Sequence, residues 1–542
     1  MNFDVILIHP PAIYDFRKKA LFPGSIGYTV GRSTAQFITP SIGVLSIAEY
    51  LDRHGYRVMV DNIAERMITD PGFDAEEYIK NLNSRVFAVG LHWCVHSQGA
   101  IEVARLIKKL HPDSMVLLGG LTSTVFHEEI IEKYEFIDAV IRGEAEKPFQ
   151  KLMQVLEEQK GLENVPNLTY RRDNGEIATS PLMEPDADLN DYEFTRLDLL
   201  EPKQAIYTPG QLPGWTLPIA RGCLYNCVSC GGSAYSYRTH LGRNKPAFRS
   251  PEKLIEDLHK LSKQGVQLVF LCQDPRMGGK EYSQKLLKSM QKENFNLSQL
   301  TFELFVPADE EFMQELSKIK VPIVLTISPE SGVDRVRGAH GRKYTNDGLL
   351  NTIKLCQKYG IRLGIFSMLA LANDTTETIK QTWKSWEEIV RLNMMFNAPA
   401  DFAFGPMLLL DPGSPAFDRP NSYGFKLVFN NFEDYVNGMS HPSWHQWISY
   451  ETKHLDKEQI AQLTIDSIEY SINLRERAGF YTKSEAEVSR FCFVEADREV
   501  MEKVNEAMKI DDLEKREEIL SSLRKSQDDK LDSIISKQKS GS

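Results

Sequence analysis

From residue 4 to about residue 146 the chain alternates short runs of Val, Ile and Leu with amphipathic stretches: DVILIHPP, SIGVLSIAEYLDRHG, YRVMVDN, DAEEYIKNLNS, VFAVGLHW, GAIEVARLIKKLH, SMVLLGG, STVFHEEIIEKY and DAVIRGEAE. Strand runs that stay apolar without alternating are what a parallel sheet covered on both faces requires. The pattern predicts a doubly wound α/β domain, in which ligands sit at the carboxyl ends of the strands. Those ends carry Pro10 and Pro11, the stretch His92 to His96, Gly119 with Gly120, and Gly143 with Glu144. Glycine at such a place either lets a bulky ligand approach the backbone or makes a plain turn.

A second alternation begins at TLPIARGC and supplies six strand-like runs with helices between them, ending at ADFAFGPMLLLDPGS. This predicts a parallel barrel or partial barrel with its chemistry at the strand carboxyl ends. The expected organisation is a Rossmann-like domain over 1–150 and a linker over 151–210 containing one hairpin at TYRRDNGEIAT. A partial (β/α)6 barrel follows over 211–420, then a mainly helical region over 421–542 whose charged end is a solvated or disordered tail. A chain of 542 residues exceeds one ordinary core, in line with several domains.

Charge and hydropathy exclude some partners. A formal net charge of -11 argues against a general nucleic-acid or anionic-membrane binder. The longest uncharged apolar stretch, around LGIFSMLALA, is about half of a membrane span. The opening MNFDVILIHPP lacks a basic region before its apolar run and reads as a buried strand rather than a signal peptide. Seven cysteines without a paired framework point to reduced thiols, and the chain is expected in the cytoplasm.

Three of those cysteines, Cys223, Cys227 and Cys230, fall within RGCLYNCVSCGG directly after the first strand of the second unit. CxxxCxxC on one short loop is open to three readings. A structural zinc site would need a fourth ligand, for which His240 is the nearest candidate. A disulfide plus a free thiol would need an oxidising compartment. A four-iron cluster held by three thiolates leaves one iron open for a ligand, and both the position after a barrel strand and the Gly231-Gly232 pair fit it. The other cysteines, Cys94, Cys272, Cys356 and Cys492, are scattered, so no second cluster is expected. Cys272 and Cys356 read as small core residues.

The cysteine loop followed by the barrel pattern resembles the radical S-adenosylmethionine (SAM) superfamily. The resemblance implies that Cys223, Cys227 and Cys230 hold a [4Fe-4S] cluster on which catalysis rests, that SAM chelates the open iron, and that an external low-potential donor such as flavodoxin or ferredoxin supplies the electron. Ser229 departs from the aromatic residue common before the last cysteine. ISPESG resembles the fourth-strand segment, making Ser328 and Glu330 candidate SAM contacts by position, with an ion pair to Arg342 as the structural alternative for Glu330. DPGSPAF, residues 411–417, resembles the turn after the sixth strand.

The N-terminal domain resembles the cobalamin-binding domain that precedes such barrels, on HPP, TPSIGVLSIAEYL, LLGG and VIRGEAE. Its loops would place Pro10, Pro11, His92, Cys94, His96, Ser97, Gly119, Gly120, Thr122, Gly143 and Glu144 about the corrin. DRHGYR does not fit DxHxxG, and the register of the first helix puts Pro40 where the cobalt-ligating histidine would stand. The expectation is base-off cobalamin without a protein imidazole.

Together these imply a cobalamin-dependent radical SAM enzyme that methylates an unactivated carbon through a 5'-deoxyadenosyl radical and methylcobalamin. The alternatives are a rearrangement, cyclisation or carbon-carbon bond formation with the same cofactors, or a non-enzymatic cobalamin sensor or carrier. The substrate, whether small molecule, lipid or peptide, is left open. Trp444, Trp447, His441, His445 and Tyr450 in HPSWHQWISY either select it or form the core of a helical cap.

Overall fold

A computed structural model describes residues 2–24, 38–202, 212–396 and 400–540. Five parallel strands form the N-terminal sheet: β1 (Asn2–His9), β2 (Val58–Asn62), β3 (Asn83–Gly90), β4 (Met115–Gly119) and β5 (Ala139–Ile141), in the order β5-β4-β3-β1-β2. Ile6 in β1 stands opposite Met59 on one side and Phe87 on the other. Val5, Ile6 and Ile8 are all fully buried, as continuous apolar runs demand when helices cover both faces.

The segment expected as a linker is part of this sheet. Leu168–Arg171 (β6) adds antiparallel to β5, Ile177–Thr179 (β7) closes a hairpin onto it, and Leu200–Glu201 (β8) pairs with β2 at the opposite edge. The physical reason is edge protection, because without β6 the three residues of β5 would present unpaired backbone groups to solvent. The hairpin is visible in the sequence, but its attachment to β5 is not.

The second unit is a run of six parallel strands in chain order: β9 (Gly214–Pro218), β10 (Leu268–Cys272), β11 (Gln299–Leu304), β12 (Ile323–Glu330), β13 (Arg362–Leu369) and β14 (Ala400–Pro406). Here burial does alternate. In β12, Leu325 and Ile327 are buried, while Thr326 and Ser328 on the other face are only partly covered. In β13, Phe366 and Met368 are 46% and 37% exposed, so the concave face of this partial barrel is not filled by its own side chains. That leaves room for ligands.

The C-terminal region is helical apart from one short antiparallel pair, Phe425–Leu427 with Tyr450–Thr452. Trp444, Trp447 and Tyr450 are buried, and His445 lies between the Ser443 hydroxyl (2.8 Å) and Asn505 (3.1 Å). Core packing therefore accounts for these aromatics. The charged end forms one helix, Leu513–Ser540, and is not merely solvated: Leu520 and Leu523 pack with Phe22, Val500 and Val504. A stripe of few leucines is easily hidden among charges.

Asp497 in this region carries a pH prediction. Burial pushes its carboxyl up to about 8. It therefore binds a proton in the folded state where the unfolded chain, with an ordinary value near 4, has lost it. Stability is expected to fall as pH rises from about 5 to 8, by up to about 1.4 kcal/mol per unit from this group, and urea titrations of Asp497→Asn should show a flatter dependence.

Candidate active site between sheet and barrel

After β9 the chain passes Gly222, in a left-handed conformation (φ +100°), and enters the cysteine loop. Backbone hydrogen bonds fix this loop on three sides. Val228 N–H donates to the His340 carbonyl (3.0 Å), Ala416 N–H donates to the Val228 carbonyl (2.9 Å), and Gly231 N–H donates to Asp411 Oδ2 (2.9 Å). Gln273, at the end of β10, donates Nε2–H to the Gly222 carbonyl at 2.9 Å. Gly341 has φ +105°, and a Cβ there would lie 2.7 Å from the Asn226 carbonyl oxygen, so only glycine permits the approach. Ser229 bonds His340 Nε2 at 3.1 Å, giving the departure from an aromatic residue a structural role.

Two of the three sulfurs already receive N–H donors: Tyr225 to Cys223 and Gly232 to Cys230, each at 3.3 Å. Burial pushes all three thiols up, Cys227 to about 11, so a bare thiolate is disfavoured here and the donors suit charge that is shared with a metal centre. All seven cysteines are free thiols. His240 Nε2 is bonded to Asp418 at 2.7 Å and is not turned to the loop. Among the described residues no three His, Cys, Asp or Glu side chains converge on a single ion.

Around the concave face three non-glycine residues at strand ends have positive φ: Gln273 (+80°), Glu330 (+65°) and Ala370 (+63°). Strain of this kind, of order 1–3 kcal/mol each, persists where surroundings enforce it and clusters at functional sites. Glu330 pairs with Arg342 at 3.3 Å, yet burial still pushes its carboxyl up to about 7, and its second oxygen has no hydrogen-bond partner. Ser328 lies on the partly covered face of β12, and the register shifts between Ile327 and Glu330. Glu303 accepts the Gln273 N–H at 2.8 Å, with burial raising its carboxyl. Glu303 and Gln273 were not anticipated. A glutamate inside the apolar run LTFELF, on a face that should be core, is the signal that could have found one of them.

A mostly apolar cavity of about 480 Å³ separates the carboxyl ends of the sheet from those of the barrel. Of the residues expected at a cofactor, Pro40, His92, Gly119, Gly120, Gly143 and Glu144 line it, facing Thr216, Phe270 and Cys272 of the barrel. A Cβ on Gly43 would meet nothing within 4 Å, so the wall there is bare backbone. Desolvation, reinforced by Arg221, pushes the His92 imidazole down to about 4, although the residue's surface is open to the cavity. Thr122 lies beside a smaller hollow of about 290 Å³ with Trp93, Gly231 and Asp411.

The remaining residues stand behind this wall. The Pro11 carbonyl would lie 1.8 Å from a Cβ on Gly99, Pro10 is buried, the Cys94 carbonyl accepts the Ser97 hydroxyl (2.7 Å), and His96 meets the His9 ring edge-on at 4.9 Å. Gly120 has φ +121°, with His92 backbone atoms 2.5 Å from where a Cβ would go. Gly120→Ala is expected to shift the His92 turn and weaken cobalamin uptake in a visible-absorbance titration, with a stability loss of order 1–3 kcal/mol.

Residues 217–385 match the family model of the radical SAM superfamily, and residues 28–153 match that of the B12 binding domain. The chain is therefore a radical SAM protein carrying an N-terminal B12 binding domain. Among curated proteins it is 23% identical over 349 residues to an uncharacterized methyltransferase of Pyrococcus horikoshii, covering 64% of this chain and 72% of that one. It is 24% identical over 361 residues to the anaerobic magnesium-protoporphyrin IX monomethyl ester cyclase of Rubrivivax gelatinosus, covering 64% of this chain and 61% of the cyclase. Its fold is similar to that of the radical SAM methyltransferase TsrM from Kitasatospora setae, solved with cobalamin and a [4Fe-4S] cluster (TM-score 0.58, 14% identity, 94% of this chain and 100% of that one). It is also similar to the cobalamin-dependent enzyme OxsB, solved with aqua-cobalamin and SAM (TM-score 0.60, 13% identity, 99% and 80%). No helix among the described residues is long and apolar enough to cross a membrane.

Proposed function

We propose that this cobalamin-dependent radical SAM enzyme methylates an unactivated carbon. The observation that carries the reading is the single cavity onto which the B12-domain loops, the cysteine-loop approach and the barrel face all open. When bound, the cluster supplies the electron that splits SAM to the 5'-deoxyadenosyl radical and the cobalamin supplies the methyl group. Cys223, Cys227 and Cys230 would hold the first, and N–H groups already donate to two of the sulfurs. Gly43, Gly119, Gly120 and His92, which line the cavity, would border the second. Glu330, buried with one oxygen unpartnered, and Ser328, on the partly covered face of β12, are the candidate contacts for SAM. The apolar walls would limit the access of water to a radical formed between them.

Cobalt without a protein imidazole is part of the proposal, since the Pro40 side chain carries no ligand atom. His92 is the imidazole that could overturn it. Cobalt(II) electron paramagnetic resonance should show no nitrogen coupling from the protein and be the same in His92→Ala.

The deciding experiment is an anaerobic incubation with SAM, a flavodoxin system and a metabolite extract, followed by mass spectrometry. Methylation predicts S-adenosylhomocysteine and 5'-deoxyadenosine in equal amounts and a product heavier by one methylene. The cyclase relative favours a second reading, ring formation, which predicts 5'-deoxyadenosine without S-adenosylhomocysteine or added carbon.

A further inference from the structure

Glu144 and Glu146, on the segment leaving β5, meet two arginines of the barrel unit. Arg221 Nη1 lies 2.9 Å from Glu144 Oε2, and its Nη2 lies 2.8 Å from Glu146 Oε1. Arg243 grips the same Glu144 through Nε at 2.6 Å and Nη2 at 2.9 Å. Ser46, in the helix Ile42–Arg53, donates its hydroxyl to Glu146 Oε1 at 2.7 Å. The Tyr192 ring lies 5.3 Å from the Arg221 guanidinium. Burial would raise the Glu146 carboxyl, but Arg221 and Ser46 outweigh it and hold the group below its usual range. The four side chains are 2% to 15% exposed, so this is a buried, charge-balanced, fork-to-carboxylate network rather than a surface pair.

Its location gives it a role beyond stability. Arg221 stands two residues before Cys223, across the left-handed Gly222. Glu144 and Glu146 follow Gly143 and line the 480 Å³ cavity, as does the start of the helix that carries Ser46. One network thus joins two cavity-lining elements of the B12 domain to the residue that leads into the cysteine loop.

We infer that this clamp couples the two cofactor sites, an inference that rests on the cofactor assignment proposed above. Cobalamin in the cavity and a cluster on the loop each favour the same clamped arrangement, so each tightens binding of the other, reciprocally. Glu144, assigned by sequence to the corrin, acts instead as a positioning residue with both oxygens engaged by arginine.

The test titrates hydroxocobalamin, by its visible spectrum, into the full chain with and without its reconstituted cluster. Wild type, Glu144→Gln/Glu146→Gln and Arg221→Lys are compared. The wild type is expected to bind cobalamin at least about fivefold more tightly with the cluster present. In both variants that ratio should collapse toward one while each cofactor is still taken up singly, because glutamine keeps the shape without the charge and lysine keeps the charge without the fork. If these variants fail to fold, Arg243→Lys, which disturbs only the Glu144 arm and the Asp186 carbonyl, gives the same readout. Lower stability with an unchanged ratio, or a wild-type ratio of one, overturns the coupling. A wild type that takes up no cobalt or no iron sinks the cofactor assignment itself and the coupling with it.

Discussion

Anaerobic reconstitution of the wild type with iron, sulfide and hydroxocobalamin should give about four irons and one cobalt per chain, and the Cys223, Cys227, Cys230 triple alanine variant should lose the iron alone. The expectation of a clean loss follows from how the loop is held. Its anchors are the backbone bonds of Val228 to His340 and of Ala416 to Val228, and the Gly231 N–H to the Asp411 carboxylate, none of which uses a sulfur. The cavity wall at Pro40, Gly119 and Gly120 comes from the other domain. A variant that keeps cobalt and its melting temperature but shows no iron, no visible cluster absorbance and only background SAM cleavage fits the assignment. Zinc in place of iron in the wild type, or iron retained by the variant, would remove it.

The largest effect on stability is expected at Arg249. Its side chain and that of Asp257 are both fully buried, joined by Nη2 to Oδ1 at 3.0 Å and by a second, shorter contact from Nε to Oδ2. Arg249 Nη1 also donates to the carbonyls of Leu189 and Tyr192, both at 2.6 Å, and its own carbonyl accepts the Tyr282 hydroxyl. One guanidinium thus pins the segment carrying Leu189 and Tyr192 to the helix Pro251–Lys263. Arg249→Met leaves Asp257 buried without a counter-charge and two carbonyls without donors, and a loss of about 3–5 kcal/mol is expected in urea unfolding. Arg249→Met with Asp257→Leu should recover part of that loss, since replacing both partners removes the unpaired charge. A single variant within about 0.5 kcal/mol of wild type would mean that water reaches the pair.

What the sequence disclosed and what it withheld separate along one line. The strands of both units, the loop of three cysteines and the glycines after β4 and β5 are written locally, as runs, spacings and turn residues. The features it withheld depend on partners far along the chain. Arg243 and Glu144 are 99 residues apart, and Arg221 and Glu146 are 75 apart. Neither pairing leaves a periodic trace. Leu200–Glu201 is too short to read as a strand until β2 is seen beside it. Glu144 illustrates the limit: its place at a strand end was legible, whereas its engagement by two arginines required the other domain.

The way the N-terminal sheet is completed has a consequence for how the chain emerges from a ribosome. β2 at one edge waits for Leu200–Glu201, and β5 at the other waits for Leu168–Arg171. While only the first 150 residues are outside the tunnel, both borders carry unsatisfied amides and carbonyls, the condition that invites strand addition from a neighbouring nascent chain. The last border is covered only when residue 201 appears, immediately ahead of the barrel. An expression fragment of the B12 domain ending at residue 150 would freeze that intermediate and aggregate, whereas one extended to residue 202 carries its own edge strands.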